Sequence, residues 1–238
     1  MGCLLYLATP MSLKALSAPL YSFHLKDFSA LLYDTKKDQV FFYGAQDRNQ
    51  QIYPGSILKL FYTVQILKEN PKWIHKKVYC EGYHLKNDFP LECHERHGKV
   101  TLKEALAKSC NAFYKSFLAE NTFKKSSDFL KIFKINYLAD TDPDPVKNWS
   151  LFLGVDEQSQ LTAWQLLKAL QILTRSAEYP LLKPYLVQAK KTGTTKRLNQ
   201  FPKASLIGKT GTKLISKKAV GVFVGWADSQ EPAYYIIV

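Results

Sequence analysis

The period of apolar positions changes several times along the chain, and each change predicts an element. Residues 29–34 (SALLYD) and 39–44 (QVFFYG) are short runs of apolar and aromatic side chains separated by Thr35, Lys36, Lys37 and Asp38, which predicts a β-hairpin. After Pro54-Gly55 the period lengthens. Ile57, Leu60, Phe61, Val64 and Leu67 fall at helical spacing until Asn70-Pro71 ends the run, which puts Ser56 at a helix start. Residues 72–99 are polar, rich in His and Cys and without a period, and read as an ordered loop region. Thr101 and Glu104 make a T-x-x-E capping box before a short helix ending near Ala107. Residues 111–120 and 124–135 read as two further short helices, and DTDPDP at 140–145 as a turn-rich break. Thr162 and Gln165 form a second capping box, followed by Ala163, Leu166, Leu167, Leu170 and Leu173 on one helical face. Strand-like runs return at 205–207, 219–227 (AVGVFVGWA) and 233–238 (AYYIIV).

Strands at both ends and helices between them predict a mixed α+β fold. One mostly antiparallel sheet is drawn from the two termini and flanked by helices, with a helical lobe from roughly residues 70–180. The expected division is a poorly defined N-terminal segment at 1–26 and a single domain at 27–238. With 46% hydrophobic and 22% charged residues, 238 residues can bury one sizeable core, which excludes a disordered chain. No internal repeat or low-complexity stretch is present.

The formal charge of +13 and a pI near 9.4 attract anionic polymers in general. The lysines are scattered, mostly as pairs such as Lys36/Lys37 and Lys217/Lys218, without a basic block, so they read as solvated faces and single out no nucleic acid. The apolar start, residues 1–8, is cut short by Lys14, too early for a membrane span, and its first positive charge follows the apolar run, unlike a secretory signal. The chain is therefore either cytosolic or without its export segment in this sequence.

Ser56 and Lys59 stand three residues apart at a helix start, on one face, with Cβ atoms about 5–6 Å apart. A serine hydroxyl becomes a nucleophile when a base takes its proton, and a lysine serves once desolvation or nearby positive charge lowers its pKa. S-x-x-K alone arises often by chance. Here Ser109-Cys110-Asn111 follows the first capped helix and Lys209-Thr210-Gly211-Thr212 follows a short strand, and that ordered triple is far more specific.

On these residues the sequence resembles the penicillin-binding transpeptidases and serine β-lactamases, and the class B peptidoglycan transpeptidases in particular. YPGSILKLF resembles their nucleophile segment and HGKVTLKEALAKSCNAFY their second-motif region. QLTAWQLL resembles the helix before the C-terminal strands, and ASLIGKTGTKL with VGVFVGWA the third motif and next strand. The resemblance covers roughly residues 27–238. It implies that Ser56 is acylated, Lys59 accepts its proton, Ser109 relays a proton to the leaving amine and Asn111 binds the substrate amide. It implies further that Lys209, Thr210 and Thr212 bind the substrate carboxylate, that Gly211 leaves the strand open to ligand, and that the Ser56 and Thr212 N–H groups hold the oxyanion. Peptidoglycan stem peptides ending in D-Ala-D-Ala and β-lactams are the implied ligands, cell-wall synthesis or membrane proteins the implied partners, and a bacterial cell envelope, periplasmic or extracytoplasmic, the implied location. No cofactor is implied.

Lys191-Thr192-Gly193-Thr194 repeats the third motif eighteen residues earlier, but it lies among charges with no apolar strand after it and is not taken as the site. The resembled family has a glycine-threonine segment at a comparable place, which implies that Gly193-Thr194 is part of a turn. Cys80, His84, Cys93 and His97 are candidate metal ligands, although their spacing matches no regular finger. No metal is assigned, and a Cys80–Cys93 disulfide and free thiols are the other readings. Cys110 reads as a small apolar packing residue.

Two other functions compete. A serine β-lactamase of class D type is the nearest, although the sequence lacks a class A E-x-x-L-N segment and a class D Tyr-Gly-Asn segment, and carries Asn111 where class D has a hydrophobic residue. A non-catalytic penicillin sensor or cell-wall binding module is the other. It is suggested by a chain that stops at Val238, where the family continues into a C-terminal helix, and that begins without the family's anchor and extra N-terminal domain.

Overall fold

The computed structural model describes residues 29–44, 48–82, 93, 95–120, 123–136, 149–154, 158–200, 206–215, 218–227 and 232–238. The segment 1–26, the turn-rich break at 140–145 and His84 lie outside them. The predicted hairpin forms from β1 (Ala30–Asp34) and β2 (Gln39–Tyr43), paired antiparallel from Ala30–Tyr43 to Asp34–Gln39. At the other end of the chain stand β7 (Leu206–Ile215), β8 (Lys218–Ala227) and β9 (Tyr234–Ile237). All four pairings are antiparallel in the order β2-β1-β9-β8-β7, so the termini meet at β1 and β9 and β7 is an edge strand.

Directly paired residues point to the same face of a sheet. One rank therefore runs Tyr33, Tyr235, Trp226 and Ile207, and the next runs Leu31, Ile237, Val224 and Lys209. The first seven of these side chains are buried apolar or aromatic groups, and Lys209 takes the last place of the second rank, also fully buried. The polar tips of the aromatic rank are satisfied by helices: Trp226 Nε1 donates to the Tyr179 hydroxyl at 2.8 Å, and Tyr235 shares a hydrogen bond with Thr174.

The helices on this face are α1 (Lys59–Glu69), α6 (Ala163–Arg175) and α7 (Tyr179–Thr192). The stripe of α6 read from the sequence is fully buried at Ala163, Leu166, Leu167, Leu170 and Leu173, each leucine contributing about 1.5–3 kcal/mol. Its capping box is closed in both directions, Gln165 N–H to Thr162 Oγ1 at 3.0 Å and Thr162 N–H to Gln165 Oε1 at 2.8 Å. Helix α7 was not legible from the pattern. Pro180 in its first turn costs no hydrogen bond, and Pro184 inside it is outweighed by the burial of Tyr179, Leu182, Leu186 and Ala189 against α1, α2 and β7.

The middle of the chain supplies α2 (Leu102–Lys108), α3 (Asn111–Glu120), α4 (Phe123–Ile132) and α5 (Trp149–Phe152). The Glu104 carboxylate accepts from the Thr101 N–H at 2.8 Å, as its motif predicts. Helix α4 stops three residues before the expected 135, because the chain turns at Phe133 and Lys134, the latter with φ +60°. The region 72–99 is not all loop. Val78–Cys80 (β4) and Gly98–Val100 (β5) pair as a small antiparallel sheet, each too short to display a period. Gln51–Ile52 (β3) and Leu161–Thr162 (β6) form another. Nor is the third motif placed after a strand: Lys209 to Thr212 lie within β7 itself.

Candidate active site

Ser56 is delivered by a turn that the sequence builds from Pro54 and Gly55. Gly55 has φ +51°, a conformation that favours glycine, and its N–H donates to the Gly154 carbonyl at 3.0 Å. The 3-10 turn Gly55–Leu58 then passes into α1, leaving Ser56 half-buried and Lys59 fully buried one turn on. Lys59 Nζ lies 2.9 Å from Ser56 Oγ, 2.6 Å from the Ser109 carbonyl oxygen and 3.4 Å from Ser109 Oγ, and it also bonds Asn111 Oδ1.

Ser109 ends α2 in the left-handed region, φ +59° and ψ +39°, which costs a non-glycine residue about 1–2 kcal/mol. The Cys110 N–H to Ala105 carbonyl bond at 2.8 Å holds the turn. Its product is a carbonyl and a hydroxyl aimed into the same space, which ties the strain to the site. Asn111 opens α3 directly afterwards.

Strand β7 closes the third side. Lys209 Nζ donates to Ser109 Oγ at 2.9 Å and to the Thr210 carbonyl at 2.9 Å. A Cβ on Gly211 would stand 2.3 Å from the Pro54 carbonyl oxygen, so only glycine lets β7 run this close to the Ser56 turn. Thr212 is exposed, and its backbone N lies 3.2 Å from where a Cβ on Gly55 would be. Ser56, Lys59, Ser109, Asn111, Lys209, Thr210, Gly211 and Thr212 are thus gathered in one place from five elements: the 3-10 turn, α1, the end of α2, α3 and β7.

Burial pushes the Lys59 pKa down to about 8, against the lesser opposing effect of the Cys93 and Cys110 sulfurs. Lys209 is also held well below the ordinary lysine range, by burial first and then by the Lys59 charge. Among the described residues, no Asp or Glu carboxylate hydrogen-bonds Ser56 or Lys59.

Two features escaped the sequence. Gly193-Thr194 is indeed a turn at the end of α7, but Thr194 N–H donates to the Ala107 carbonyl at 3.0 Å and its hydroxyl accepts from Thr210 Oγ1 at 2.9 Å. The repeated motif thus abuts Lys209–Thr212, and its signals in the sequence were the repetition and the glycine-threonine segment that the resembled family has at a comparable place. The second is Cys110, which does more than pack. Its sulfur lies 3.8 Å from Cys93, and Cys80 Sγ lies 3.5 Å from His97 Nδ1. All three cysteines are free, so a Cys80–Cys93 disulfide is not formed. Contact with Cys110, and the N–H groups of Ala112 and Asn111, hold the Cys93 thiol well below its usual range, while the same contact and burial push Cys110 up.

The family model described as the penicillin binding protein transpeptidase domain matches residues 28–189. No curated protein sequence matches the chain. Among solved structures, the fold is similar to the penicillin-binding protein PBP2 of Helicobacter pylori in its complex with MreC, with a TM-score of 0.72 and 14% identity over 89% of this chain and 56% of that one. This chain therefore spans little more than half the length of that protein. It is also similar to the class D β-lactamase YbXI from Nostoc, with a TM-score of 0.65 and 19% identity over 88% of this chain and 82% of that one. A third similar structure is the D,D-transpeptidase domain of a peptidoglycan glycosyltransferase from Eggerthella lenta, with a TM-score of 0.70 and 13% identity over 89% and 72%. No helix among the described residues is long and apolar enough to cross a membrane. At such identities the structures establish the shared penicillin-binding-protein and β-lactamase fold, and the family model, matched over well more than half of the sequence, makes the chain a member of the penicillin-binding-protein transpeptidase domain family.

Proposed function

We propose that the chain is a serine D,D-transpeptidase of the bacterial cell envelope, acylated at Ser56 by the D-Ala-D-Ala end of a peptidoglycan stem peptide or by a β-lactam. The observation that carries this reading is the 2.9 Å contact between Lys59 Nζ and Ser56 Oγ, made by an amine whose pKa lies near 8. In its free-base form Lys59 donates its two protons to the Ser109 carbonyl and Asn111 Oδ1, which leaves the lone pair for the Ser56 proton. Ser56 Oγ then attacks the carbonyl carbon, and the Ser56 and Thr212 N–H groups stabilise the oxyanion by about 2.7–4 kcal/mol per donor. Lys209 donates to Ser109 Oγ, so the Ser109 proton is free to reach the departing D-alanine amine or the β-lactam nitrogen. Asn111 binds the substrate amide, and Lys209, Thr210 and Thr212 the terminal carboxylate.

The class D β-lactamase reading has one observation in its favour, the 82% of the Nostoc enzyme's length that this chain covers. Against it stand the lack of a Tyr-Gly-Asn segment and Asn111, a polar group bonded to Lys59 at the position where class D enzymes carry a hydrophobic residue. A cell-wall synthesis partner is part of the proposal, because the similar H. pylori protein forms a complex with MreC.

Incubation with a fluorescent penicillin, intact-mass analysis and peptide mapping test the whole reading. A persistent adduct on Ser56 that Ser56→Ala abolishes supports it. Rapid release of hydrolysed penicillin replaces it with a β-lactamase, and the lack of any adduct leaves a binding module.

A further inference from the structure

Four side chains that the acyl-transfer chemistry does not use converge behind the Ser109-Cys110-Asn111 segment. The ligand atoms of Cys80, Cys93, His97 and Cys110 all lie within 4.8 Å of one another. In sequence they form C-x12-C-x3-H-x12-C, and in the fold they come from the end of β4, the segment beyond it, the residue before β5 and the α2–α3 junction. Chain path rather than a short spacing motif brings them together.

The geometry points to a four-coordinate zinc ion held by Cys80 Sγ, Cys93 Sγ, His97 Nδ1 and Cys110 Sγ, which clamps the second catalytic motif to the β4–β5 hairpin. A tetrahedron with Zn–S near 2.3 Å and Zn–N near 2.0–2.1 Å has S···S edges of about 3.8 Å and S···N edges of about 3.5 Å. The Cys93–Cys110 separation is 3.8 Å and the Cys80–His97 separation 3.5 Å. The same distance is far too long for a disulfide, which would in any case leave His97 and the third thiol without a role. Three sulfurs and one imidazole are a ligand set that selects zinc over the hard oxygen-seeking cations.

The surroundings also suit an ion. The Cys80 and Cys110 residues are fully buried and Cys93 nearly so, and the His97 side chain is only 6% exposed, so the site is closed and leaves no coordination position for substrate. Glu95 Oε1 lies 3.6 Å from His97 Nε2, the ring nitrogen that faces away from the cluster, where a carboxylate orients a metal-bound imidazole. The Asn111 N–H donates to Cys93 Sγ at 3.1 Å and offsets thiolate charge. Binding releases thiol protons to solvent and involves no redox change.

The consequence follows from the position of Cys110 between Ser109 and Asn111. A metal bond to it fixes the left-handed turn that points the Ser109 carbonyl and hydroxyl at Lys59 and Lys209, and fixes the start of α3 that carries Asn111. The site is structural, and it sets how well the second motif is placed for acylation.

The test is metal analysis of the full chain purified under reducing conditions without chelator. One zinc per chain is expected. After stripping, Co2+ should give intense tetrahedral visible bands and thiolate-to-cobalt charge transfer, and Zn2+ should displace it. Cys80→Ser, which removes one of the four ligands, should lower metal affinity by more than the roughly 10–100-fold that loss of a group merely orienting a ligand costs. No zinc together with no tetrahedral Co2+ spectrum on the unaltered protein overturns the site, a measurement that needs no variant to fold. An unchanged zinc affinity of Cys80→Ser in competition with a chelator overturns the ligand assignment. Stripping should also slow fluorescent-penicillin labelling about 10-fold or more, reversed by Zn2+. Metal loss with an unchanged labelling rate overturns the clamp. The labelling measurement rests on Ser56 acylation, whereas the metal measurements do not, so failure of one reading is distinguishable from failure of the other.

Discussion

Lys209 and Ser109 are a hundred residues apart in the chain and are joined by a 2.9 Å hydrogen bond from the lysine amine to the hydroxyl. The bond links the edge strand to the end of α2 and places a depressed lysine at the apolar rank of the sheet. Lys209→Ala should therefore slow acylation by penicillin about 10²–10³-fold, the loss expected when one preorganised donor beside the reacting group is removed. Second-order labelling rates measure it, and a change under three-fold would remove Lys209 from the chemistry.

The rate should also depend on pH in a defined direction. In the proposed mechanism Lys59 acts as a base when neutral, and with a pKa of about 8 its neutral fraction rises through that pH. Labelling rates should climb from neutral pH and level off above about 9. Stability should rise over the same side of the profile: between about 8 and 10.5 the unfolded chain holds a proton on this lysine that the folded chain has lost. Denaturant midpoints across that window check the second expectation. Lys59→Arg, which stays protonated throughout, should show no acylation at any pH.

At Gly211 the expected effect is on both fold and rate. A methyl there meets the Pro54 carbonyl oxygen at 2.3 Å, so Gly211→Ala should cost about 1–3 kcal/mol and displace Thr212 from the Ser56 turn. Thermal unfolding and labelling rates of the same preparation separate the two.

Thr194→Val keeps the branched shape and removes the acceptor of the Thr210 hydroxyl. It should raise the β-lactam concentration for half-maximal acylation about five-fold, the equivalent of about 1 kcal/mol, and leave the limiting rate unchanged. A fall in the limiting rate alone would place Thr194 elsewhere in the mechanism.

What could be read from the sequence is set by how local each feature is. The hairpin, the two capping boxes and the helix after Ser56 depend on residues close in sequence, from three apart in the caps to thirteen across the hairpin, and each formed where its pattern lay. Helix α7 was hidden because Pro180 and Pro184 are read as breakers, whereas burial of four side chains decides the outcome. The strand through Lys209-Thr210-Gly211-Thr212 was cut short in the reading because lysine and glycine have low strand propensity. Its pairing with β8 extends to Ile215 regardless. In the site, the order of three motifs was enough to single out the residues that meet around Ser56. The hydroxyl of Thr194 and the sulfur of Cys110 were not legible, because their partners, Thr210 and Cys93, are brought to them only by the three-dimensional path of the chain.

The third motif occupies the last strand of its sheet, and among the described residues no further strand pairs with it on the side away from β8. An unpaired margin of this kind accepts an incoming extended chain through main-chain hydrogen bonds, as an added strand that is indifferent to most side chains. A linear acyl donor laid along Lys209–Thr212 would thus be aligned by its own peptide groups, with its scissile carbonyl brought to rest against the turn at Ser56. On the proposed function, only the end of such a donor would need specific recognition, and the remainder could vary.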